Sequence, residues 1–250
     1  MRSSLRRAAA GLLVVTSALA PLAATADVDT QLEQLRDVMT VRLPDVPREN
    51  IRRSAAPGLF EIHSGHSFGY LTADGRFLVS GDLVDLDTGA KLTDARRNEE
   101  RVRSVQAGAG EAIVFAPPMG LVKQWVTIFT DVDCHYCKLL HREIGDINRA
   151  GIGVRYFFYS KYGAPSEAFD QAQSVWCQFD RAGALNTALL YERLPNGAGD
   201  CRNPVKKQYD LAVDMGLRGT PVTILPDGSV MYGFMKADKF VAQVREHPLP

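Results

Sequence analysis

The apolar residues in the first third of the chain follow a helical spacing and then a strand-like one. A helix is predicted over 29–41, where four apolar side chains recur at helical spacing: Leu32, Leu35, Val38 and Met39. Pro44 and Pro47 end this helix. Three short β-prone runs, separated by glycine-containing turns, follow at 59–62, 68–71 and 76–84. These elements predict a small α+β unit with an antiparallel sheet over 27–90.

Apolar residues become sparse from about Leu92 to Ala107, where acidic and basic residues dominate. A helix that is polar on nearly every side usually bridges two domains. Charge alone fits a solvated surface helix of one domain equally well. Because the stretch separates two differently patterned segments, we predict a linker helix within 91–110, closed by Gly108 and Gly110.

The last segment, 111–250, contains longer apolar runs. A buried strand at 123–130 leads through a polar loop into a helix whose apolar face is Cys137, Leu140, Ile144 and Ile147. A second strand is predicted at 153–159, followed by helices within 166–193 and another helix at 204–215. Two strands at 221–225 and 229–232 and a last helix at 237–246 complete the segment. This order predicts an α/β domain with a helical insertion.

Residues 1–26 have the pattern of a secretory signal peptide. Three arginines precede a short apolar stretch, and Ala24-Thr25-Ala26 supplies a small-residue cleavage site before Asp27. A bilayer-spanning helix needs about 20 apolar residues, which disfavours the alternative of a membrane anchor. We therefore expect the chain to be exported.

Charge and composition argue against nucleic acid and anionic membrane surfaces as general partners. The chain has 250 residues, of which 46% are hydrophobic, and 29 basic residues balance 29 acidic ones. Such a chain can bury a sizeable core. Without excess positive charge it has no general attraction to nucleic acid or to an anionic membrane surface.

The chemistry is expected at Cys134-His135-Tyr136-Cys137, where the predicted helix begins. A helix N-terminus stabilises an anion by up to about 2 kcal/mol, which lowers a thiol pKa by about 1.5. A thiol whose pKa approaches the ambient pH is the best attacking group in thiol–disulfide exchange. The alternatives are an inert disulfide and a zinc site, although a zinc site normally shows a second CxxC. We predict a reversible redox pair that needs no metal and no organic cofactor.

Two further features accompany this pair. Four cysteines allow three disulfide pairings, and their spacing favours Cys134 with Cys137 and Cys177 with Cys201. The second bridge is either structural or a second exchange site. Gly219-Thr220-Pro221 stands immediately before a predicted strand. If Pro221 were cis, the Thr220 backbone would be free to pair with an extended substrate. The simpler interpretation is a proline that only marks the start of the strand.

Several motifs together resemble the DsbC/DsbG family of periplasmic protein disulfide isomerases. They are GYLTADGR at 69–76, FTDVDCHYC at 129–137, SVWC at 174–177, Cys201 and GTP at 219–221. The resemblance implies a V-shaped homodimer in which cystatin-like N-terminal domains pair and linker helices rise from them. Two C-terminal thioredoxin-like α/β domains would then face an uncharged cleft that binds misfolded protein.

The resemblance also implies residue roles. Cys134 matches the attacking thiol and Cys137 the resolving thiol. Thr220 and Pro221 match the cis-proline loop beside His135 and Tyr136, and the family's second, structural disulfide matches Cys177 with Cys201. The implied activity is isomerisation of incorrect disulfides in exported proteins, with chaperone-like substrate binding and a DsbD-like membrane reductase as electron donor.

His135 stands where the best-known members of the family carry glycine. We hypothesise that its imidazole favours the Cys134 thiolate and makes the disulfide more oxidising, with a solvated side chain of no redox effect as the alternative. Three other functions stay open. They are a DsbG-like reductase that repairs sulfenic acids, a DsbA-like dithiol oxidase and a non-catalytic periplasmic chaperone.

Overall fold

The computed structural model describes residues 22–118, 120–195 and 199–249, which form two β-sheets with helices packed against them. Most of the predicted signal peptide therefore lies outside the described residues. Within these ranges, no helix is both long and apolar enough to cross a membrane.

The first sheet has four antiparallel strands in the order β1-β2-β3-β4, packed against helix α1. The helix spans Leu22–Arg42 and begins earlier than the sequence pattern predicts. The strands span Ile51–Arg53, Leu59–Ser64, Ser67–Thr72 and Leu78–Ser80. The helix buries Leu32, Leu35 and Met39 against the sheet. These are three of the four residues of the predicted apolar face; the fourth, Val38, is exposed.

The strands of this sheet differ from the sequence prediction at both ends. The pattern does not predict β1, because three residues are too few to show an alternation. Strand β4 is shorter than the predicted run at 76–84: it ends at Ser80, and it begins late because Arg76 and Phe77 belong to a turn. There the Arg76 N–H donates to Asp74 Oδ1 at 3.0 Å and the Phe77 N–H donates to Thr72 Oγ1 at 3.3 Å.

Helix α2 spans Leu92–Ala107 and is anchored in both halves of the molecule. Near its start, Thr93 Oγ1 accepts the Leu83 N–H at 2.7 Å and lies 2.5 Å from the Tyr70 hydroxyl of β3. Near its end, Val105 is buried in a core cluster of the second sheet. A helix with few apolar residues thus still places one buried contact in each half.

Gly108 follows α2 for a reason that the sequence does not reveal. Its φ is -86°, a conformation open to any residue. An added Cβ would however lie 2.8 Å from the ring of Phe157. The close approach of that ring, rather than a left-handed turn, requires glycine here.

The second sheet has five strands in the order β5-β7-β6-β8-β9, in which β6 and β7 are parallel and the other neighbours antiparallel. The strands span Ile113–Phe115, Gln124–Thr130, Ile152–Phe158, Val222–Ile224 and Val230–Tyr232. The helices α3 to α8 span His135–Arg142, Ile144–Arg149, Glu167–Trp176, Arg181–Tyr191, Val205–Asp214 and Ala237–Glu246. The predicted α/β segment with a helical insertion, here α5 and α6, is confirmed. The single helix expected after the CxxC is divided into α3 and α4.

Strand β6 carries the alternation that separates the two faces of this sheet. Val126 and Ile128 belong to the core cluster that includes residues of α3, α4 and α8, while Phe129 belongs to the cluster on the opposite face. Because β6 and β7 are parallel, their carboxyl ends lie at the same edge of the sheet. The loops at 131–134 and 159–162 therefore meet there.

Candidate redox site

Cys134 lies between β6 and α3, at the N-cap position of the helix. Its φ of -87° and ψ of 119° are extended, so the helix begins with the next residue. The side chain is half-buried, and in its thiol form Sγ donates to the carbonyl oxygen of Thr220 at 3.2 Å. The thiol is therefore fixed against the loop before β8 and is still reachable from solvent.

Hydrogen bonds lower the pKa of Cys134 to about 5. The largest contribution is a hydrogen bond with the Cys137 side chain, and partial burial acts in the opposite direction. A hydrogen bond from the Thr220 side chain and the backbone N–H groups of Cys137 and Tyr136 stabilise the thiolate further. Those two N–H groups belong to the first turn of α3, where N–H groups have no helical partner. At pH 7 Cys134 is therefore mostly thiolate.

Cys137 has the opposite character. It is only 1% exposed, and burial raises its pKa well above the ordinary thiol value, with the neighbouring Cys134 raising it further. The Asp131 N–H lies 3.5 Å from its sulfur, and the Thr130 hydroxyl faces the same atom. The site thus pairs an anionic, accessible sulfur with a protonated, buried one.

The Thr220–Pro221 peptide bond is cis, and the loop that contains it borders a cavity of about 440 Å³ beside Cys134. His135 and Tyr136 also line this cavity; their rings meet at a T-shaped contact of 5.5 Å between centroids. The structure therefore brings the CxxC residues and the Thr220–Pro221 loop together in one site.

Four residues of the cavity wall are not predicted from the sequence as site residues: Asp131, Asp133, Lys161 and Tyr162. The buried Asp131 carboxylate accepts the Asp133 N–H at 2.9 Å and the Lys161 N–H at 2.8 Å, so it joins the loops after β6 and β7. The Lys161 ammonium group lies 4.9 Å from the centre of the Tyr162 ring. The signal that could have found these residues is their position just after two parallel strands.

The other two cysteines lie apart from this cavity. Cys177 and Cys201 form a disulfide with their Cα atoms 5.7 Å apart, and Cys177 caps the C-terminus of α5 in the helical insertion. Neither cysteine lines the cavity beside Cys134. In the described part of the chain, no group of three or more His, Cys, Asp or Glu side chains is placed to hold a metal ion.

Comparisons with known proteins match both halves of the chain. A model of the disulfide bond isomerase protein N-terminal domain matches residues 20–94, and a model of a thioredoxin-like domain matches 120–247. The thiol:disulfide interchange protein DsbC of Dickeya dadantii is 31% identical over 199 residues, which cover 79% of this chain and 80% of that protein. DsbC of Haemophilus influenzae is 30% identical, with 78% and 83% covered.

A solved structure agrees with these relatives. The crystal structure of a disulfide interchange protein from Neisseria gonorrhoeae superposes with a TM-score of 0.51 at 29% identity, and covers 57% of this chain and 99% of that one. Both domain models match the chain, and the DsbC relatives match it over most of their length. The chain therefore belongs to the DsbC family of thiol:disulfide interchange proteins.

Proposed function

We propose that this protein isomerises incorrect disulfides in exported proteins through the dithiol of Cys134 and Cys137. The observation that carries the proposal is the setting of Cys134, a half-buried thiol at the N-cap of α3 whose pKa is about 5. Such a thiol is anionic at neutral pH and attacks a disulfide without a separate base. The buried Cys137 beside it supplies the second thiol.

The reaction begins when the Cys134 thiolate attacks one sulfur of a substrate disulfide. A mixed disulfide forms and the other substrate sulfur leaves as a thiolate. That thiolate can attack a different disulfide of the substrate, and a later attack on the mixed disulfide releases Cys134 in its reduced form. Alternatively, Cys137 attacks Cys134 and the protein leaves oxidised. The low pKa makes Cys134 a good leaving group in the first route, whereas in the second route the substrate sulfur leaves.

The cis-proline loop supports the binding of an extended substrate. The carbonyl oxygen of Thr220 lies 3.2 Å from Cys134 Sγ, so a strand that pairs with this backbone would hold its own cysteine close to the attacking sulfur. In this proposal Thr220 and Pro221 bind substrate backbone, and His135 and Tyr136 contact the flanking side chains.

The first sheet supports a homodimer. Strand β4 lies at an edge, and its Leu78 and Val79 are 58% and 50% exposed. An exposed apolar edge strand is a template for pairing with a second copy. In this proposal 27–90 is the dimerisation domain, 91–110 the linker and 111–250 the catalytic domain.

Membership of the DsbC family supports the cellular setting. We place the protein in the periplasm after removal of a signal peptide, 1–26, with misfolded disulfide-containing exported proteins as substrates. A DsbD-like membrane reductase would return an oxidised Cys134–Cys137 pair to the dithiol. The Cys177–Cys201 bridge has a structural role, since it closes a loop of the insertion away from the cavity.

The test is reactivation of a scrambled multi-disulfide enzyme by the purified protein without its leader. We expect catalytic recovery that Cys134→Ala abolishes, whereas Cys201→Ala, which removes the other bridge, keeps it. Equal recovery with Cys134→Ala would indicate a holdase without catalysis. Rapid oxidation of a reduced substrate by a monomer, without reactivation of the scrambled one, would indicate a dithiol oxidase.

A further inference from the structure

We infer that the Thr130 hydroxyl is a catalytic group for the second thiol: it donates a hydrogen bond to the Cys137 sulfur when that sulfur becomes a thiolate. The inference rests on the proposed function in one respect, since it needs Cys134 and Cys137 to react as a pair. By this role, Thr130 sets the lifetime of the mixed disulfide between Cys134 and a substrate.

The position of Thr130 follows from the alternation along β6. Thr130 is the last residue of this strand and shares a face with Val126 and Ile128, which pack in the same cluster as Cys137. A hydroxyl therefore stands where the strand otherwise presents apolar side chains to α3. The placement brings it under the first turn of that helix.

The Thr130 hydroxyl has no other hydrogen-bonding task among the described residues. The residue is 0% exposed, and its Oγ1 makes no hydrogen bond of standard geometry. Leaving a buried hydroxyl unpaired is unfavourable. The polar group that it faces is the Cys137 thiol, whose pKa it lowers against the effect of burial.

Cys137 needs such a donor in one step only. When Cys137 resolves a mixed disulfide, its sulfur forms a bond to Cys134 Sγ and the bond between Cys134 and the substrate sulfur breaks. The proton of Cys137 ends on the departing substrate thiol, so no outside oxidant or reductant takes part. Burial opposes the thiolate through which the reaction passes, and a fixed donor offsets that penalty.

A hydroxyl suits both states of this sulfur. It can accept from the S–H of the thiol and, after rotation, donate to the thiolate while it keeps its own proton. The Asp131 N–H, at 3.5 Å, is the other donor near the sulfur and cannot reverse its role. The hydroxyl of Tyr156, in the same core cluster, is already bonded to His141 at 2.9 Å.

The experiment is single-turnover reaction of the reduced protein with dithiobis(nitrobenzoate). The first nitrothiobenzoate is released when Cys134 attacks the probe, and the second when Cys137 resolves the mixed disulfide. We expect Thr130→Val to slow the second release by about tenfold or more, the size of losing a hydrogen bond to a charged group. The first release keeps its rate, and the pH dependence of the second moves to higher pH.

Two variants control for packing. Thr130→Ser restores the hydroxyl and should bring the second release close to the wild-type rate. Thr223→Val removes another fully buried hydroxyl that makes no standard hydrogen bond, from the neighbouring β8, and should leave both releases unchanged. Thr130→Ala replaces Thr130→Val in the test when the added methyl group prevents folding.

The outcomes separate this inference from the proposed function. A wild-type second release in folded Thr130→Val, equal slowing of both releases, or equal slowing by Thr223→Val would overturn the role of Thr130. Failure of the wild-type protein to release any second equivalent would instead overturn the pairing of Cys134 with Cys137.

Discussion

The reactivity of Cys134 arises from its immediate neighbours. The Cys137 side chain, Thr220 and the first N–H groups of α3 all act on its sulfur. Stabilising the thiolate stabilises the reduced form of the pair, which makes the disulfide a stronger oxidant. His135 is exposed beside this sulfur, and its ring contacts that of Tyr136. Its effect on the reduction potential of the Cys134–Cys137 pair is a separate question.

Replacement of His135 tests whether its imidazole adds to this effect. We expect His135→Gly to lower the reduction potential by about 10–20 mV, which corresponds to about 0.5–1 kcal/mol less stabilisation of the reduced form. Equilibration with glutathione at defined ratios measures the potential, and Tyr136→Phe serves as the control. An unchanged potential in His135→Gly would remove the imidazole from the account.

Helix α3 is held in place by a buried polar chain beneath it. The Tyr156 hydroxyl of β7 donates to His141 Nδ1 at 2.9 Å, and His141 Nε2 donates to Asn186 Oδ1 of α6 at 2.7 Å. Burial lowers the pKa of His141 below 6.5, so the ring is neutral in this arrangement. The chain ties the helix that carries both thiols to a strand and to the helical insertion.

This buried histidine predicts a loss of stability in acid. The unfolded chain takes up a proton near pH 6.5 and the folded chain does so only at lower pH. The stabilising contribution of neutral His141 is therefore complete above about pH 6.5 and declines below it. Urea denaturation from pH 7.5 to 5 should show a shallower decline for His141→Gln than for the wild type.

The exposed His135 provides the control for that slope. His135→Gln should not make the decline shallower, because its ring is exposed and makes no buried hydrogen bond in the described structure. An equal decline in His141→Gln and the wild type would contradict the assignment of the acid loss to His141.

Elements with several turns of regular pattern could be predicted from the sequence. The helices at Leu92–Ala107 and Ala237–Glu246 are confirmed at their predicted bounds. Strands β1 and β5 are not predicted, because three residues give no periodicity and pairing with a neighbour makes them strands. The equally short β8 and β9 are predicted because they lie within longer β-prone runs, at 221–225 and 229–232. The division between α3 and α4 also leaves no mark on the apolar spacing.

The candidate site was predictable where residue type and spacing carry the chemistry. Cys134 and Cys137 have that property, and so does the proline of the loop at 219–221. Thr130 and Lys161 do not, because the parallel pairing of β6 with β7 and the packing of α3 decide what they contact. Their roles depend on three-dimensional contacts between segments that are distant in sequence.

At the scale of the whole molecule, the two halves meet along α2 and at a polar contact between the β2–β3 turn and α7. His66 of the β2–β3 turn has its Nδ1 2.8 Å from Asp214 Oδ2 of α7, and the Ser104 hydroxyl of α2 lies 3.4 Å from the other ring nitrogen. The far edge of the first sheet, β4, remains exposed. A second copy that pairs there would bring two catalytic sites into one assembly.

Charge on this edge tests the dimer. We expect Val79→Lys to shift the protein to monomer in sedimentation and to remove most reactivation of a scrambled substrate, because an edge lysine disfavours strand pairing. Alkylation of Cys134 should keep its wild-type rate. Val114→Lys changes a valine of similar exposure, 44%, on the edge strand of the other sheet and should remain dimeric. A Val79→Lys dimer would place the interface elsewhere.

The most direct test of the account is the ionisation of Cys134 in the reduced protein. The rate of alkylation by iodoacetamide, assigned to Cys134 by peptide mass spectrometry, reports its thiolate fraction at each pH. We expect a rate that is constant through neutral pH and falls in acid with a midpoint near pH 5. A midpoint at about 8.5, the value of a free cysteine, would contradict it.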